Sequence, residues 1–238
     1  MKKITIKFLS ISLALCALLL SSCDSDEKTT LNLHFHPKVG AEDFNFNQTY
    51  TINDTLPVQF TLAQFYTHGF SLSDDDGGSE SIDNYFLVKA GHGTYEWGET
   101  SLLHAHELTF SVGVDATNNA QTEANFTARD AEDPLAIQDP KMHWNWNSGY
   151  IFAKIEGLVD VDGDGTPETP FAYHIGRNEM LRNLTLMTHQ ELTKSTEEIM
   201  IKVDYANLFK DIDLKNNTTV HGMSATMMDN LKDAFSVM

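Results

Sequence analysis

The segment HWNWNSGYIFAKIEG, residues 143–157, joins an aromatic motif to an apolar run. Side chains alternate between the two faces of an extended chain, so Trp144 and Trp146 share one face while His143 lies on the other. From Tyr150 to Leu158 the residues are mostly apolar, which is typical of a buried strand. Two indoles on one surface indicate either a pair of packed core tryptophans or a binding surface.

Short apolar or alternating runs recur on both sides of this segment, between turn segments rich in Asp and Gly. These runs are Leu31 to His36, Val58 to Leu72, Tyr85 to Val88, Leu108 to Val114, Tyr150 to Leu158, Phe171 to Ile175, Leu184 to Met187 and Ile199 to Val203. Many short strands predict an all-β fold, mainly antiparallel, arranged as a β-sandwich or a barrel-like sheet.

Two segments depart from the strand pattern. The stretch from Ala116 to Pro140 is rich in Asn, Thr and Asp and predicts a long loop that leads into the tryptophan motif. After Ser224, Met227, Leu231 and Phe235 recur at helical spacing and predict a short amphipathic C-terminal helix.

The N-terminus predicts a lipoprotein leader over residues 1–22. Three lysines precede an apolar run that is too short to span a bilayer, and Leu20-Ser21-Ser22-Cys23 matches a bacterial lipoprotein cleavage box. Cys23 is then the lipidated residue, residues 23–30 form a polar tether, and residues 31–238 form one β domain. The expected location is the cell envelope, at the outer membrane, facing either the periplasm or the outside. The alternative is an ordinary secretory signal with a chance cysteine.

Charge and cysteine content narrow the class of protein. The chain has 16 Lys and Arg against 34 Asp and Glu, a formal net charge of -18. Nucleic acid is disfavoured as a partner, because phosphate binding depends on a positive surface. The two cysteines, Cys16 in the leader and Cys23, leave the domain without a disulfide.

The block from Leu135 to Gly176, with -QDPKMHWNWNSGYIFAKIEG-, -DVDGDGTPETPF- and -YHIG-, resembles the MbnP-like family of copper-binding proteins. The resemblance extends over nearly all of the chain after the leader. It implies that one tryptophan of the W-x-W motif, Trp144 or Trp146, is oxidised to kynurenine by a di-haem, MauG-like peroxidase. The new aromatic amine then joins histidine as a copper ligand. Trp144 is the favoured position, and the sequence leaves Trp146 open.

Six histidines are candidate copper ligands, since imidazole suits copper. Two doublets alternate along predicted strands and so share a face, while two single residues fall in family-like blocks: His34 with His36, His104 with His106, and His143 and His174. The alternative for each doublet is a pair of solvent-facing histidines. His189 and His221 are further candidates without geometric support, and the alternative for each is a capping or surface role. Copper, as Cu(I) or Cu(II), is the expected metal.

An acidic loop follows the strand after the tryptophan motif. Asp160, Asp162, Asp164 and Glu168 match positions 1, 3, 5 and 9 of an EF-hand-like calcium loop, but position 12 is Phe171. The loop is therefore either a calcium site that needs a ligand from elsewhere or a plain acidic turn.

The sequence indicates a binder and not an enzyme, because it has no nucleophile elbow, phosphate loop or zinc-protease helix. One alternative to copper binding is a calcium-stabilised surface module that binds glycan or protein. Another is an accessory subunit that docks to a redox enzyme or an outer-membrane transporter.

Overall fold

The computed structural model describes residues 28–145 and 149–238, with the side chain of Asn145 outside the described part. The predicted leader, Cys23 and Trp146 lie outside these residues. Within them, no helix is long and apolar enough to cross a membrane.

Strands dominate the described chain. They are β1 (Thr29–Val39), β2 (Glu42–Asp43), β3 (Thr49–Ile52), β4 (Leu56–Ser73), β5 (Ser79–Ile82), β6 (Phe86–Lys89), β7 (Thr94–Thr100), β8 (His104–Val112), β9 (His143–Asn145), β10 (Gly149–Val159), β11 (Thr169–Gly176), β12 (Arg182–Glu191), β13 (Thr196–Asp204), β14 (Thr219–Gly222) and β15 (Phe235–Val237). The short helices are α1 (Ala116–Asn119), α2 (Glu123–Thr127), α3 (Tyr205–Leu208), α4 (Ala225–Asp229) and α5 (Leu231–Ala234), with a 3-10 turn at Asn178–Met180.

The strands form two sheets. The five-stranded sheet has the order β15-β13-β1-β2 with β7 also on β1, and the ten-stranded sheet has the order β12-β8-β4-β10-β11-β14, with β3, β5, β6 and β9 on β4 or β10. Most pairs are antiparallel, but β1 with β13 and β11 with β14 are parallel. In the described part, β12 and β14 end the larger sheet without pairing to one another, so it is not a closed barrel.

Alternating side chains hold the two sheets together. In β1, Leu31, Leu33 and Phe35 are buried and the residues between them face outward. Phe35 meets Phe65 of β4 and Phe110 of β8 edge to face, at ring-centroid distances of 6.3 and 6.2 Å. A sandwich with its core between the sheets follows, which confirms the predicted all-β class.

The two segments that broke the strand pattern differ in detail from their predictions. The stretch 116–140 contains α1 and α2, whose first turns are capped by Asp115 and Thr122. The predicted C-terminal helix is two short helices, and Phe235 belongs to β15 because it packs against Phe35 and β15 pairs with β13.

Candidate metal centre

Neighbouring strands β10, β11 and β14 of the larger sheet carry three residues side by side, Lys154, His174 and His221. His174 of β11 pairs with Lys154 of β10 on one side and with His221 of β14 on the other. Paired residues of adjacent strands project from the same face, so the register brings the two imidazoles together. Their ring centroids lie 4.7 Å apart and their planes are at 82°.

Trp144 lies beside this histidine pair. It is on β9, which pairs with β10, and its indole centroid is 6.2 Å from His174 and 5.9 Å from His221. Gly176 permits this approach, because a Cβ there would lie 3.1 Å from Nε1 of Trp144. The indole is half-buried and packs against the core. We call Trp144, His174 and His221 the central triad.

Glu156 holds the ring of His174. Its Oε1 lies 2.6 Å from Nε2 of His174, and Nζ of Lys154 lies 3.5 Å from the same oxygen. Burial lowers the pKa of His174 below its ordinary value, and the hydrogen bond with Glu156 opposes this shift without reversing it. His174 is therefore a neutral imidazole at neutral pH, which is the form that binds metals.

His143 faces away from the central triad, as the alternation of strand side chains predicts. Its ring centroid lies 4.4 Å from that of Phe126, on the side of the strand where α2 packs. Burial, together with the charge of Lys141, lowers the pKa of His143. The structure thus places His143 and Trp144 in different surroundings.

The two histidine doublets lie elsewhere. His34 and His36 occupy β1 in the five-stranded sheet, with ring centroids 6.1 Å apart. His104 and His106 occupy β8, where Nε2 of His104 lies 2.9 Å from a carboxylate oxygen of Glu191. Each doublet shares a face of its strand as predicted. Each doublet remains a candidate metal site with two imidazole ligands, at a place in the fold separate from Trp144.

The donor chemistry of the central triad fits copper in part. Imidazole nitrogens of His174 and His221 are suitable copper ligands. The indole of Trp144 has only an N–H donor and no lone pair for a metal, so as translated it does not complete a site. An aromatic amine in place of the indole would supply such a donor.

A family model described as MbnP matches residues 28–228. The chain belongs to the MbnP family. Its fold is similar to that of a solved structure, MbnP from Methylosinus trichosporium, with 18% sequence identity, a TM-score of 0.58, and 83% of this chain and 82% of that chain covered. This similarity shows the fold. No match was found among the curated proteins.

The MbnP match includes the whole central triad, of which the sequence indicated Trp144 and His174 as site residues and His221 only as a further candidate without geometric support. The sequence signal for His221 is weak: Val220, His221 and Gly222 form a short strand pattern before the terminal helices. Parallel pairing of β14 with β11 gives His221 its place, and that pairing joins segments separated by more than 40 residues.

The acidic loop is ordered by its own hydrogen bonds. Carboxylate oxygens of Asp160, Asp162 and Asp164 lie within 4.8 Å of one another. Asp160 is buried and accepts hydrogen bonds from the backbone N–H groups of Gly163 and Gly165, at 2.6 and 2.8 Å. Glu168 is exposed and stands outside this group, and Phe171 is buried in the core. Three carboxylates are available to bind a hard cation, and that of Asp160 already accepts two backbone hydrogen bonds.

Proposed function

We propose that this MbnP-family protein is a copper-binding protein of the cell envelope, whose metal is held by His174, His221 and an amine made from Trp144. The observation that carries the proposal is the central triad, in which two imidazoles meet edge to face beside one indole. The protein acts as a binder in copper capture or homeostasis and catalyses no reaction itself.

The modification of Trp144 is a four-electron oxidation. Two molecules of hydrogen peroxide cleave the C2–C3 bond of the indole and place one oxygen on each carbon, giving N-formylkynurenine and two waters. One further water then releases formic acid and leaves kynurenine, whose aryl amine has a lone pair. A di-haem, MauG-like peroxidase is the proposed catalyst, because the peroxide is reduced as the indole is oxidised. Residue mass rises by about 4 Da.

The donor set supports Cu(I) in particular. Two neutral imidazoles and a neutral amine form a low-coordinate set without thiolate, and the domain after Cys23 has no cysteine. The lowered pKa of His174 favours its ligand form. Glu156 accepts the N–H at Nε2 of His174, so the lone pair lies on Nδ1.

The envelope location is part of the same proposal. Lipidation of Cys23 would anchor the domain to the outer membrane, and residues after it would act as a tether. An excess of acidic residues suits association with cations or with a basic partner. An outer-membrane transporter is a further candidate partner. With Trp144 as the modified residue, Trp146 would relay electrons from Trp144 to the haem protein.

A second candidate function rests on the acidic loop. The proximity of Asp160, Asp162 and Asp164 favours a calcium-stabilised surface module that binds glycan or protein. In that case the tryptophans serve as stacking platforms and stay unmodified.

Co-expression with a di-haem peroxidase tests the proposal. We expect intact and peptide masses to show kynurenine at Trp144, and Cu(I) competition with a chelator to show tight binding. Replacing a residue that hydrogen-bonds to a metal ligand costs about 10- to 100-fold in metal affinity. Loss of a ligand itself should cost more, so we expect His174→Ala and His221→Ala each to weaken Cu(I) binding by more than about 100-fold. His143→Ala is the matched control and should keep the affinity, since its ring faces Phe126.

Two results would overturn the assignment. Unmodified Trp144 in protein matured with its partner would remove the amine donor, and tight Cu(I) binding by Trp144→Phe would show that the residue is not a ligand. Separate analysis of Trp146→Phe distinguishes the two tryptophans. Calcium-dependent glycan or protein binding by unmodified protein would favour the second candidate function.

A further inference from the structure

A second cluster of metal-ligating side chains lies on β8 and β12, on strands that do not contribute to the central triad. His106 of β8 and His189 of β12 meet edge to face, with ring centroids 4.7 Å apart and planes at 83°. The pair repeats the ring geometry of His174 and His221 in the central triad, 4.7 Å and 82°.

An irregularity in β12 creates this contact. The register between β12 and β8 shifts between Met187 and Gln190, as at a β-bulge, and His189 falls within the shift. The backbone of His189 is in the left-handed region, at φ 50°. A residue other than glycine adopts this conformation where the surrounding structure imposes it, and such residues often occur at ligand-binding sites. The bulge turns His189 toward His106.

Each histidine of the β8 doublet contacts a carboxylate. A carboxylate oxygen of Asp75, in the turn after β4, contacts Nδ1 of His106. This nitrogen is shielded from solvent, and within the described residues it has no partner of hydrogen-bond geometry. Glu191 of β12 meets His104, which shares a face of β8 with His106. Imidazole and carboxylate donors thus converge on one face of the sheet.

We propose that His106, His189 and Asp75 form a second, surface-facing site for a divalent transition-metal ion of the zinc or Cu(II) kind. The mixture of nitrogen and anionic oxygen donors favours these ions over Cu(I), which prefers softer or neutral ligands. Nδ1 of His106 and the carboxylate oxygen of Asp75 are already in contact, so the two donors lie together on this face of the sheet. The site needs no modified tryptophan and does not depend on the proposed copper function.

Binding requires a small closure. Among the described residues, no three donor atoms of this cluster lie within 4.8 Å of one another. His189 and Asp75 are exposed, so their side chains can turn inward without disturbing the core. Glu191, also exposed, is within reach as a fourth ligand through its position beside His104. The remaining coordination position is open to water.

The test uses the protein made without the haem partner, so that its tryptophans stay unmodified, and titrates it with Zn²⁺ in excess Ca²⁺, which competes for carboxylate-only sites. We expect stoichiometric Zn²⁺ binding that shifts the imidazole NMR resonances of His106 and His189. His106→Ala and His189→Ala should each weaken it by about tenfold or more, equivalent to about 1.4 kcal/mol or more. Asp75→Asn should weaken it in the same direction.

Two control variants separate this site from other histidines. His92→Ala removes an exposed histidine that contacts only Tyr95 among described rings, and His221→Ala breaks the central triad. Both should keep the Zn²⁺ affinity, and circular dichroism should show that every variant is folded. Unchanged binding by His106→Ala and His189→Ala, or loss of binding in His221→Ala alone, would overturn the proposal. Neither result bears on copper binding by the modified protein.

Discussion

Oε1 of Glu156 lies 2.6 Å from Nε2 of His174, one strand away from the histidine pair it supports. The contact fixes the orientation of the ring and directs its second nitrogen toward solvent or a ligand. Lys154 is buried beside it, with Nζ 3.5 Å from the same carboxylate oxygen. Glu156 is therefore a positioning residue for the central triad.

Replacing Glu156 with Gln should lower Cu(I) affinity by about 10- to 100-fold, because the anionic acceptor of the ligand N–H is lost. The side-chain volume is nearly unchanged, so the fold should persist. Competition titration of the matured protein with a Cu(I) chelator measures the effect. Glu198→Gln, which removes an exposed carboxylate of β13 elsewhere, is the control and should leave the affinity unaltered. Equal affinities for both variants would contradict a positioning role for Glu156.

The parts of the site that follow from local alternation were predictable from the sequence. Alternation placed His143 and Trp144 on opposite faces, and the structure has them there. It also gave each histidine doublet a common face. The family resemblance of the block that contains His174 made that residue a candidate ligand, and the structure places its ring 6.2 Å from that of Trp144.

Non-local pairing accounts for what the sequence did not reveal. His221 reaches His174 through a parallel pairing, and no residue pattern near His221 encodes its partner strand. His189 reaches His106 through a bulge, which breaks the alternation on which strand-face predictions depend. Both contacts require knowledge of strand register across the sheet.

A methyl group added at Gly176 should disturb the central triad. Its Cβ would lie 2.5 Å from the carbonyl oxygen of Tyr150 and 3.1 Å from Nε1 of Trp144. The backbone contact cannot be relieved by a side-chain rotation, so Gly176→Ala should cost about 1 to 3 kcal/mol of unfolding free energy. Urea denaturation measures this loss, and Cu(I) affinity of the matured variant should fall with it.

Gly91→Ala provides the comparison. A Cβ there meets only a ring carbon of Phe46, at 3.8 Å, which is ordinary van der Waals contact. This variant should denature at nearly the same urea concentration as the unaltered protein. If Gly176→Ala matched it, the close approach of Trp144 to β11 would not be a constraint.

The acidic loop should respond differently to two substitutions. Asp160→Asn weakens the acceptor of the Gly163 and Gly165 N–H groups, so it should lower the thermal midpoint with or without calcium. Asp164 is exposed and accepts from Thr166 at the rim of the loop. Asp164→Asn should therefore change the midpoint little in calcium-free buffer.

Added calcium decides between the two interpretations of the loop. A calcium site predicts that the midpoint of the unaltered protein rises with calcium and that Asp164→Asn removes the rise. A plain acidic turn predicts no rise in either protein. Differential scanning calorimetry with calcium and, as a control for ionic strength, magnesium separates these outcomes.

The ionised carboxylate of Asp115 should stabilise the fold at all but strongly acidic pH. Burial alone would raise its pKa, but hydrogen bonds from Asn118, Tyr85 and Thr117 outweigh burial and lower the pKa to about 2, from an ordinary value of 3.8. A carboxyl group with a depressed folded-state pKa stabilises the fold above its unfolded pKa. That stabilisation is lost as the pH falls from about 4 toward 2.

Asp115→Asn keeps a capping side chain at α1 but removes the charge, so it should cost about 1 kcal/mol at neutral pH. Because the wild-type protein loses this contribution on acidification, the difference in unfolding free energy between the two proteins should shrink between pH 4 and pH 2. Urea denaturation at several pH values measures the difference. Asp76→Asn, which removes an exposed carboxylate from the turn after β4, should show no such convergence. A constant difference across this range would mean that Asp115 is not held in its ionised form by the contacts at the start of α1.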